Sequence, residues 1–322
     1  MDALSDVLRT IRLTGAVFLR AEFSASWCIS TQLEPEVCKP MLNGSEAVIL
    51  YHYVREGRLT LKPQGQRPVE IGAGHAVLLS RNDRHLMGSS VELAPVDSFS
   101  LVEPSPDGLL QITHGGGGTI TRILCGFLGC ERGIASTLAG VLPSALTVDL
   151  RQGAAGEWMR STLEFIADQG QGSGRPGFET AQAKLSELLF IEVLRRYIES
   201  MPEDERGWLA ALRDPGVGRA LALLHGRVAE DWTVEKLGRA CGLSRSVLAE
   251  RFQRLVGEPP MQYLAAWRMR LAAQRLADGA MPLLGVAEEV GYKSEAAFIR
   301  AFRQQYGAPP AAWRRARKAA GA

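Results

Sequence analysis

The 322-residue chain has no run of about 18 or more uninterrupted apolar residues, so no stretch reads as a bilayer-spanning helix. Its start lacks the charged, apolar and small-residue succession of a secretory leader. The expectation is a soluble cytoplasmic protein with no membrane partner. Cys28, Cys38, Cys125, Cys130 and Cys241 are odd in number and never spaced C-x-x-C, which argues against a disulfide framework and a zinc knuckle. No compositional bias points to disorder or collagen, and the length suffices for two domains with cores of their own.

What the chain does have is an uneven charge. Its formal balance of +2 hides 17 Lys/Arg against 9 Asp/Glu from Pro215 onward, and 20 against 26 before it. A basic surface confined to one part of a chain suits a polyanion, from which it releases counterions. The alternative is a solvated basic face with no partner.

That basic part carries one construction twice, between Trp232 and Trp313. In the first copy Thr233 can cap a short helix with Val234, Leu237 and Ala240 on one face; Gly242 ends it and Ser244 opens a second helix. In the second copy Val286, Ala287 and Val290 form the short helix, Gly291 makes the turn, and Ser294 opens a helix with Phe298 and Phe302 inward. A shift of fifty residues sets Ser244 on Ser294, Leu248 on Phe298, Phe252 on Phe302 and Gly257 on Gly307. Each copy is a helix-turn-helix pattern. With Val247, Leu248, Phe252 and Leu255 assigned to the core, Arg245, Ser246, Ala249, Glu250 and Gln253 face outward. By the same logic Lys293, Glu295, Ala296, Arg300 and Gln304 face outward in the second copy.

The N-terminal part reads differently. Leu4, Val7, Leu8, Ile11 and Leu13 suggest an amphipathic arm leading into a strand at 15–20. Short β-branched or alternating runs follow at 47–53, 58–62, 69–71 and 76–80, separated by turn signals. Such spacing predicts a small β-barrel or jelly roll. Gly115–Gly118 excludes helix and regular strand and reads as a flap or a flexible loop, with a strand resuming over 119–127. After Pro143 the pattern turns helical, with a helix around Trp158 to Ile166, a loop over 169–177 and an apolar helix over 178–197. The stripe Ala181, Leu185, Leu188, Ile191, Leu194 and Ile198 needs a partner, either the barrel or a second subunit. The predicted organisation is a domain over 1–200, a linker over 201–215 and a domain over 216–322.

The C-terminal third resembles the AraC/XylS-type transcriptional regulators. The residues that carry this are Leu237, Cys241-Gly242-Leu243-Ser244, Leu248, Phe252, Gly257, Pro260, Tyr263-Leu264, Arg268-Met269 and Ala272, then Val286-Ala287, Val290-Gly291-Tyr292, Ser294, Phe298, Ala301-Phe302-Arg303, Gly307 and Pro310. The resemblance implies two helix-turn-helix units joined by a long helix over 261–277, reading double-stranded DNA in successive major grooves about 34 Å apart. By position in the family, Ser246, Ala249, Glu250, Glu295, Ala296 and Arg300 become base-edge contacts, while Ser244, Arg245, Ser294 and Arg303 become phosphate contacts. Gln253, Lys293 and Gln304 complete the expected DNA face. Gly238 stands where the family usually has alanine, a change expected to soften the first short helix by about 1 kcal/mol.

The N-terminal part resembles, through weaker motifs, the cupin-like sensor domain of some regulators of this family. The resemblance rests on 51–57, on Gly74 through His85, on 114–118 and on Cys125-Gly126. It implies an α+β protein of two domains, a cupin-like β-barrel with flanking helices and an all-α double helix-turn-helix domain. Function follows as sequence-specific transcription regulation by a homodimer, with RNA polymerase as a further partner if it activates. A catalytic cupin needs two histidines separated by one residue, but Val54 follows His52 at that spacing. Neither enzyme activity, metal nor cofactor is therefore expected. The candidates for an effector pocket are Trp27, Tyr51, His52, Tyr53, His85, His114 and Cys125, which can instead simply fill the barrel. Cys125 and Cys130 are either a redox pair or inert thiols. The rival classes are a metal-dependent cupin enzyme and a partner-binding module using the helix at 178–197.

Overall fold

The structure, a computed structural model, describes residues 4–5, 14–33, 47–105, 110–130, 142–169, 178–202, 207–278 and 281–320. Most of the expected arm, Cys38, the side chain of Cys130 and most of the 169–177 loop lie outside the described residues. Two compact units are present, one over residues 12–200 and the other containing residues 201–322. No described helix is long and apolar enough to cross a membrane.

The first unit is built from two sheets. Strands β1 (Thr14–Ser24), β3 (Ala47–Glu56), β6 (His75–Leu79), β9 (Glu103–Pro104), β10 (Leu110–Gly115), β11 (Ile120–Cys130) and β12 (Ala145–Asp149) form one, in the order β12-β6-β3-β11-β1-β10-β9. The other contains β2 (Cys28–Thr31), β4 (Arg58–Pro63), β5 (Val69–Gly72), β7 (His85–Gly88) and β8 (Val96–Asp97), in the order β5-β4-β7-β2-β8. The cupin-like fold is present, and of the barrel and the jelly roll that the strand spacing allowed, the two separate sheets are not closed into a barrel. No ladder among the described strands joins one sheet to the other, and closure requires a continuous ladder. The core lies between them, with Phe23, Leu50 and Ile112 from one sheet meeting Ile29, Leu59 and Met87 from the other.

Helices α1 (Gly153–Gln169) and α2 (Phe178–Ser200) follow β12. Helix α2 packs on β1, β11 and β12 of the larger sheet. Its buried face takes in Leu194 and Ile198 of the expected stripe together with Gln182, Ser186, Leu189, Phe190 and Val193, while Ala181 and Leu188 are exposed. At Ser186 the reason is polar: Tyr51 presents its hydroxyl to Ser186 Oγ at 2.8 Å, which suits a serine where apolar periodicity favoured a leucine. Helix α1 is tied to β3 by Arg55, which pairs with Glu164 at 2.7 Å and Asp168 at 2.6 Å.

The four-glycine run is neither a flap nor a free loop. Gly116 N–H donates to Ser24 O at 2.9 Å and Gly117 N–H to Ser24 Oγ at 2.9 Å. A side chain at Gly115 would put its Cβ 1.9 Å from Ser24 O. Glycine is needed because the two backbones touch.

The second unit is helical. Helix α3 (Trp208–Ala211) lies inside the expected linker, yet Leu209, Ala210 and Ala211 are buried and Ala211 belongs to a core cluster. Asp214-Pro215-Gly216, expected to break the chain, opens α4 (Pro215–Gly226): Asp214 accepts from the N–H groups of Gly216 and Val217, and proline sits at the first helical position. Then come α5 (Val234–Ala240), α6 (Arg245–Val256), α7 (Pro260–Asp278), α8 (Leu283–Glu289), α9 (Glu295–Tyr306) and α10 (Pro310–Ala320). Helix α7 serves two cores, Tyr263 and Leu264 in that of α4 to α6, and Met269, Ala272 and Leu276 in that of α8 to α10.

Candidate DNA interface and candidate effector cavity

Each helix pair is built by the same local chemistry. Thr233 caps α5, and Ser244 and Ser294 cap α6 and α9, accepting from Val247 N–H and Ala297 N–H at 3.3 Å each. Gly257 and Gly307 end α6 and α9 in the left-handed conformation. Leu248, Phe252, Phe298 and Phe302 are fully buried, which fixes the rotation of both helices. The opposite face is open. Ser244, Arg245, Ser246, Glu250, Gln253, Lys293, Ser294, Ala296, Arg300, Arg303 and Gln304 are exposed, and Ala249 and Glu295 are half-buried.

Two of the expected cations have partners within the unit, Arg245 with Glu235 at 2.8 Å and Lys293 with Asp231 at 2.5 Å. Both pairs are exposed, so they hold these side chains only weakly. Gln253 is turned back on Gly257 O at 2.7 Å. The side chains of Arg300 and Arg303 form no hydrogen bond or ion pair with another described residue. Val247, assigned to the core from the sequence, is corrected: it is 37% exposed. It sits about 100° around the helix from Leu248 and shares the outward side.

Gly238 is closely enclosed. Its Cβ position lies 2.8 Å from Leu243 O, across a turn one residue shorter than the second, where Ala287 occupies the matching place. Glycine here lets the short turn close.

Arg268, part of the family pattern in the sequence, joins the two helix pairs. Its Nε donates to Val228 O and its Nη2 to Glu230 O, each at 2.9 Å, and Nη2 lies 2.8 Å from where a Gly291 Cβ would be. The guanidinium thus fills the seam between the α4–α5 loop of the first pair and the turn of the second. The signal available in the sequence was its position, midway between the two apolar stretches of α7.

In the first unit a cavity of about 340 Å³ opens between the sheets. His52 and Cys125 line it, with Ala21, Phe23, Leu50, Met87, Ile112 and Phe127. The other expected pocket residues are elsewhere. Tyr51 and Tyr53 face the helices, toward Ser186 and Glu164. Successive strand residues point to opposite sides, so 51, 52 and 53 could never share one wall. Trp27 stacks behind Phe23 with centroids 3.9 Å apart, His85 lies behind His52, and His114 is half-buried on β10 away from the lining.

The histidines form a chain whose protons can be assigned. His85 Nδ1 lies 3.2 Å from Asp83 O, which only accepts, so Nδ1 carries the hydrogen. Burial drives His85 down to about 4 and, with His85 beside it, His52 well below the ordinary imidazole value, so both rings are neutral at pH 7. His85 Nε2 therefore accepts from His52 Nε2–H at 3.2 Å, and His52 Nδ1 accepts from the Cys125 thiol at 3.0 Å. Burial pushes that thiol up to about 12, so it is protonated and a poor nucleophile. No cluster of three metal-ligating side chains occurs among the described residues.

A cupin family model matches residues 2–199, and a helix-turn-helix domain model matches residues 237–316. A protein of Streptomyces antibioticus described as an AraC-like transcription regulator is 31% identical over 98% of this chain and 99% of its own length. The chain belongs to the AraC-like transcription regulators. A relative of the same description from Streptomyces lividans is 32% identical over 98% of both chains, and the transcriptional regulator AlkR of Acinetobacter baylyi is 29% identical over 98% of this chain and 99% of its own. Among solved structures, the DNA-binding domain of AdpA in complex with a target DNA is 32% identical, covering 33% of this chain and 96% of its own, with a TM-score of 0.32. With the helix-turn-helix family model over both pairs and full-length relatives described as transcription regulators, the pairs are those of a DNA-binding transcription regulator.

Proposed function

We propose that this regulator acts as a cytoplasmic homodimer whose cupin-like domain answers a small-molecule effector, and that it activates transcription through contact with RNA polymerase rather than catalysing a reaction. The regulatory domain is residues 1–200; the DNA-binding domain is residues 216–322, extended back to Trp208. Ser246, Ala249, Glu250, Glu295, Ala296 and Arg300 meet base edges, Ser244, Arg245, Ser294 and Arg303 meet phosphates, and Gln253, Lys293 and Gln304 flank them. The observation that carries the reading is the repeated outward face of α6 and α9, opposite fully buried Leu248, Phe252, Phe298 and Phe302. The cavity between the sheets is the effector site.

A footprint of the full chain on DNA flanking its gene, with a salt series, tests this. Protection of two adjacent major grooves per monomer is expected, with affinity falling steeply as salt rises. Protection of one groove would remove one helix pair from the contact set. On the same DNA, Arg300→Ala should cost ~1–3 kcal/mol and relax preference at one base pair, whereas Arg303→Ala should weaken all sequences alike and lower the salt slope by about 1. The reverse pattern would overturn this sorting of base and phosphate contacts.

A further inference from the structure

The lining of the cavity narrows the chemistry of what enters it, given that it is the effector site. Aliphatic and aromatic side chains from both sheets make up nearly all of it. Thr31 Oγ1 and Ser98 Oγ, which also line it, are bonded to each other at 3.0 Å. At the other polar point the Cys125 hydrogen is committed to His52 Nδ1, and His52 in turn to His85. Among the described residues no lysine, arginine, aspartate or glutamate lines the cavity. An ionised carboxylate or ammonium buried there would lose its water and meet no opposite charge. A sugar would surrender several hydrogen bonds and regain few.

We propose that the cavity takes a neutral, hydrocarbon-rich molecule, aromatic or aliphatic, with at most one weak polar group. Its size follows from the volume: a dry apolar cavity of about 150 Å³ holds benzene, so about 340 Å³ suits roughly 10 to 14 carbon atoms. Recognition is by shape and burial of apolar surface, with Phe99 of the short helical turn at 98–101, itself half exposed, on the lining.

The test pairs neutral probes with charged counterparts of the same skeleton on the full chain: naphthalene against 2-naphthoate, and 1-decanol against decanoate. Affinity is read by calorimetry and by the shift in unfolding temperature. Naphthalene or 1-decanol should raise the unfolding temperature in a concentration-dependent way and bind at least tenfold tighter than the anion of its pair. Equal or tighter binding of the anions would overturn the ligand class while leaving the effector site in place. Binding of none of the four overturns the proposal.

Location is tested separately. Ala21→Phe fills the cavity from the larger sheet, and Met87→Trp from the smaller one, so that one variant remains informative if the other fails to fold. Either should weaken probe binding at least tenfold with DNA affinity kept. If both fold, bind DNA and still take naphthalene as the wild type does, the molecule sits elsewhere and the effector-site reading falls.

Discussion

Replacing Arg268 with alanine should lower affinity for a two-groove DNA site at least about tenfold, while affinity for a one-groove half-site stays within about twofold. The argument is geometric. A rigid connection turns the second groove contact into an intramolecular event, and the gain disappears when the two recognition helices no longer hold one separation. Helix α7 supplies part of that rigidity by sharing its length between two cores. Arg268 supplies a second part, because it bonds two carbonyls of the α4–α5 loop while its guanidinium lies against Gly291. The exposed Asp231–Lys293 pair crosses the same seam and contributes less. Two charge-assisted hydrogen bonds to partly exposed carbonyls are worth roughly 1–2 kcal/mol of stability here, so the variant should still fold. Arg268→Lys, a point charge without the fork, should recover only part of the loss. Fluorescence anisotropy on full-site and half-site duplexes checks this. Equal losses on both would make Arg268 a residue of general stability, and no loss on either would remove it from the joint.

The DNA-binding half was largely legible because its information is local. Thr233, Ser244 and Ser294 cap through their own hydroxyls, Gly257 and Gly307 end helices through their own backbone freedom, and Phe298 with Phe302 obeys a helical period. Val247 was misplaced because a residue beside a buried leucine was counted with it, although a helix turns by about 100° per residue. Helix α3 was hidden between a polar, acidic stretch and the Asp214-Pro215-Gly216 break, where four apolar residues carry too little periodicity to register.

The first unit was less legible because its contacts are long-range. Alternation along β3 separates Tyr51 and Tyr53 from His52, and reading it strictly would have split that cluster. That His52 meets Cys125 depends on the pairing of β3 with β11, and the separation of the two sheets depends on ladders that no short window contains. The buried serine of α2 has the same origin, since Ser186 answers a tyrosine 135 residues away. The cavity was invisible for a further reason: its walls are ordinary core residues, and nothing about a leucine or an isoleucine marks the place where packing stops.

Mild acid should destabilise both units. His225 is stacked on Trp267 with centroids 4.1 Å apart, and Trp208 Nε1–H donates to Tyr263 Oη at 2.8 Å. The Tyr263 hydroxyl in turn lies 2.7 Å from His225 Nε2 and supplies its hydrogen to the neutral ring. Burial, assisted by Arg270, lowers His225 from 6.5 to about 3. Because the folded value is depressed, the unfolded chain binds the proton more readily between these limits. Stability is complete above 6.5, falls through the window toward 3, and levels off below it. At pH 5 the window has been crossed for 1.5 of its units, about 2 kcal/mol. In the first unit His85, lowered to about 4, costs about 2 kcal/mol at pH 5, and His52, held well below the ordinary imidazole value by burial and by His85, acts in the same direction. Amide hydrogen exchange resolved by peptide, corrected for intrinsic rates at pH 7 and pH 5, reports each unit by itself. Protection should fall in both, more in the first. His225→Phe keeps the stack and the Trp208–Tyr263 bond but has nothing to protonate, so its C-terminal unit should lose little protection at pH 5. If the wild-type C-terminal unit were unaffected by acid, or the phenylalanine variant remained as sensitive, the neutral buried imidazole would not be the cause.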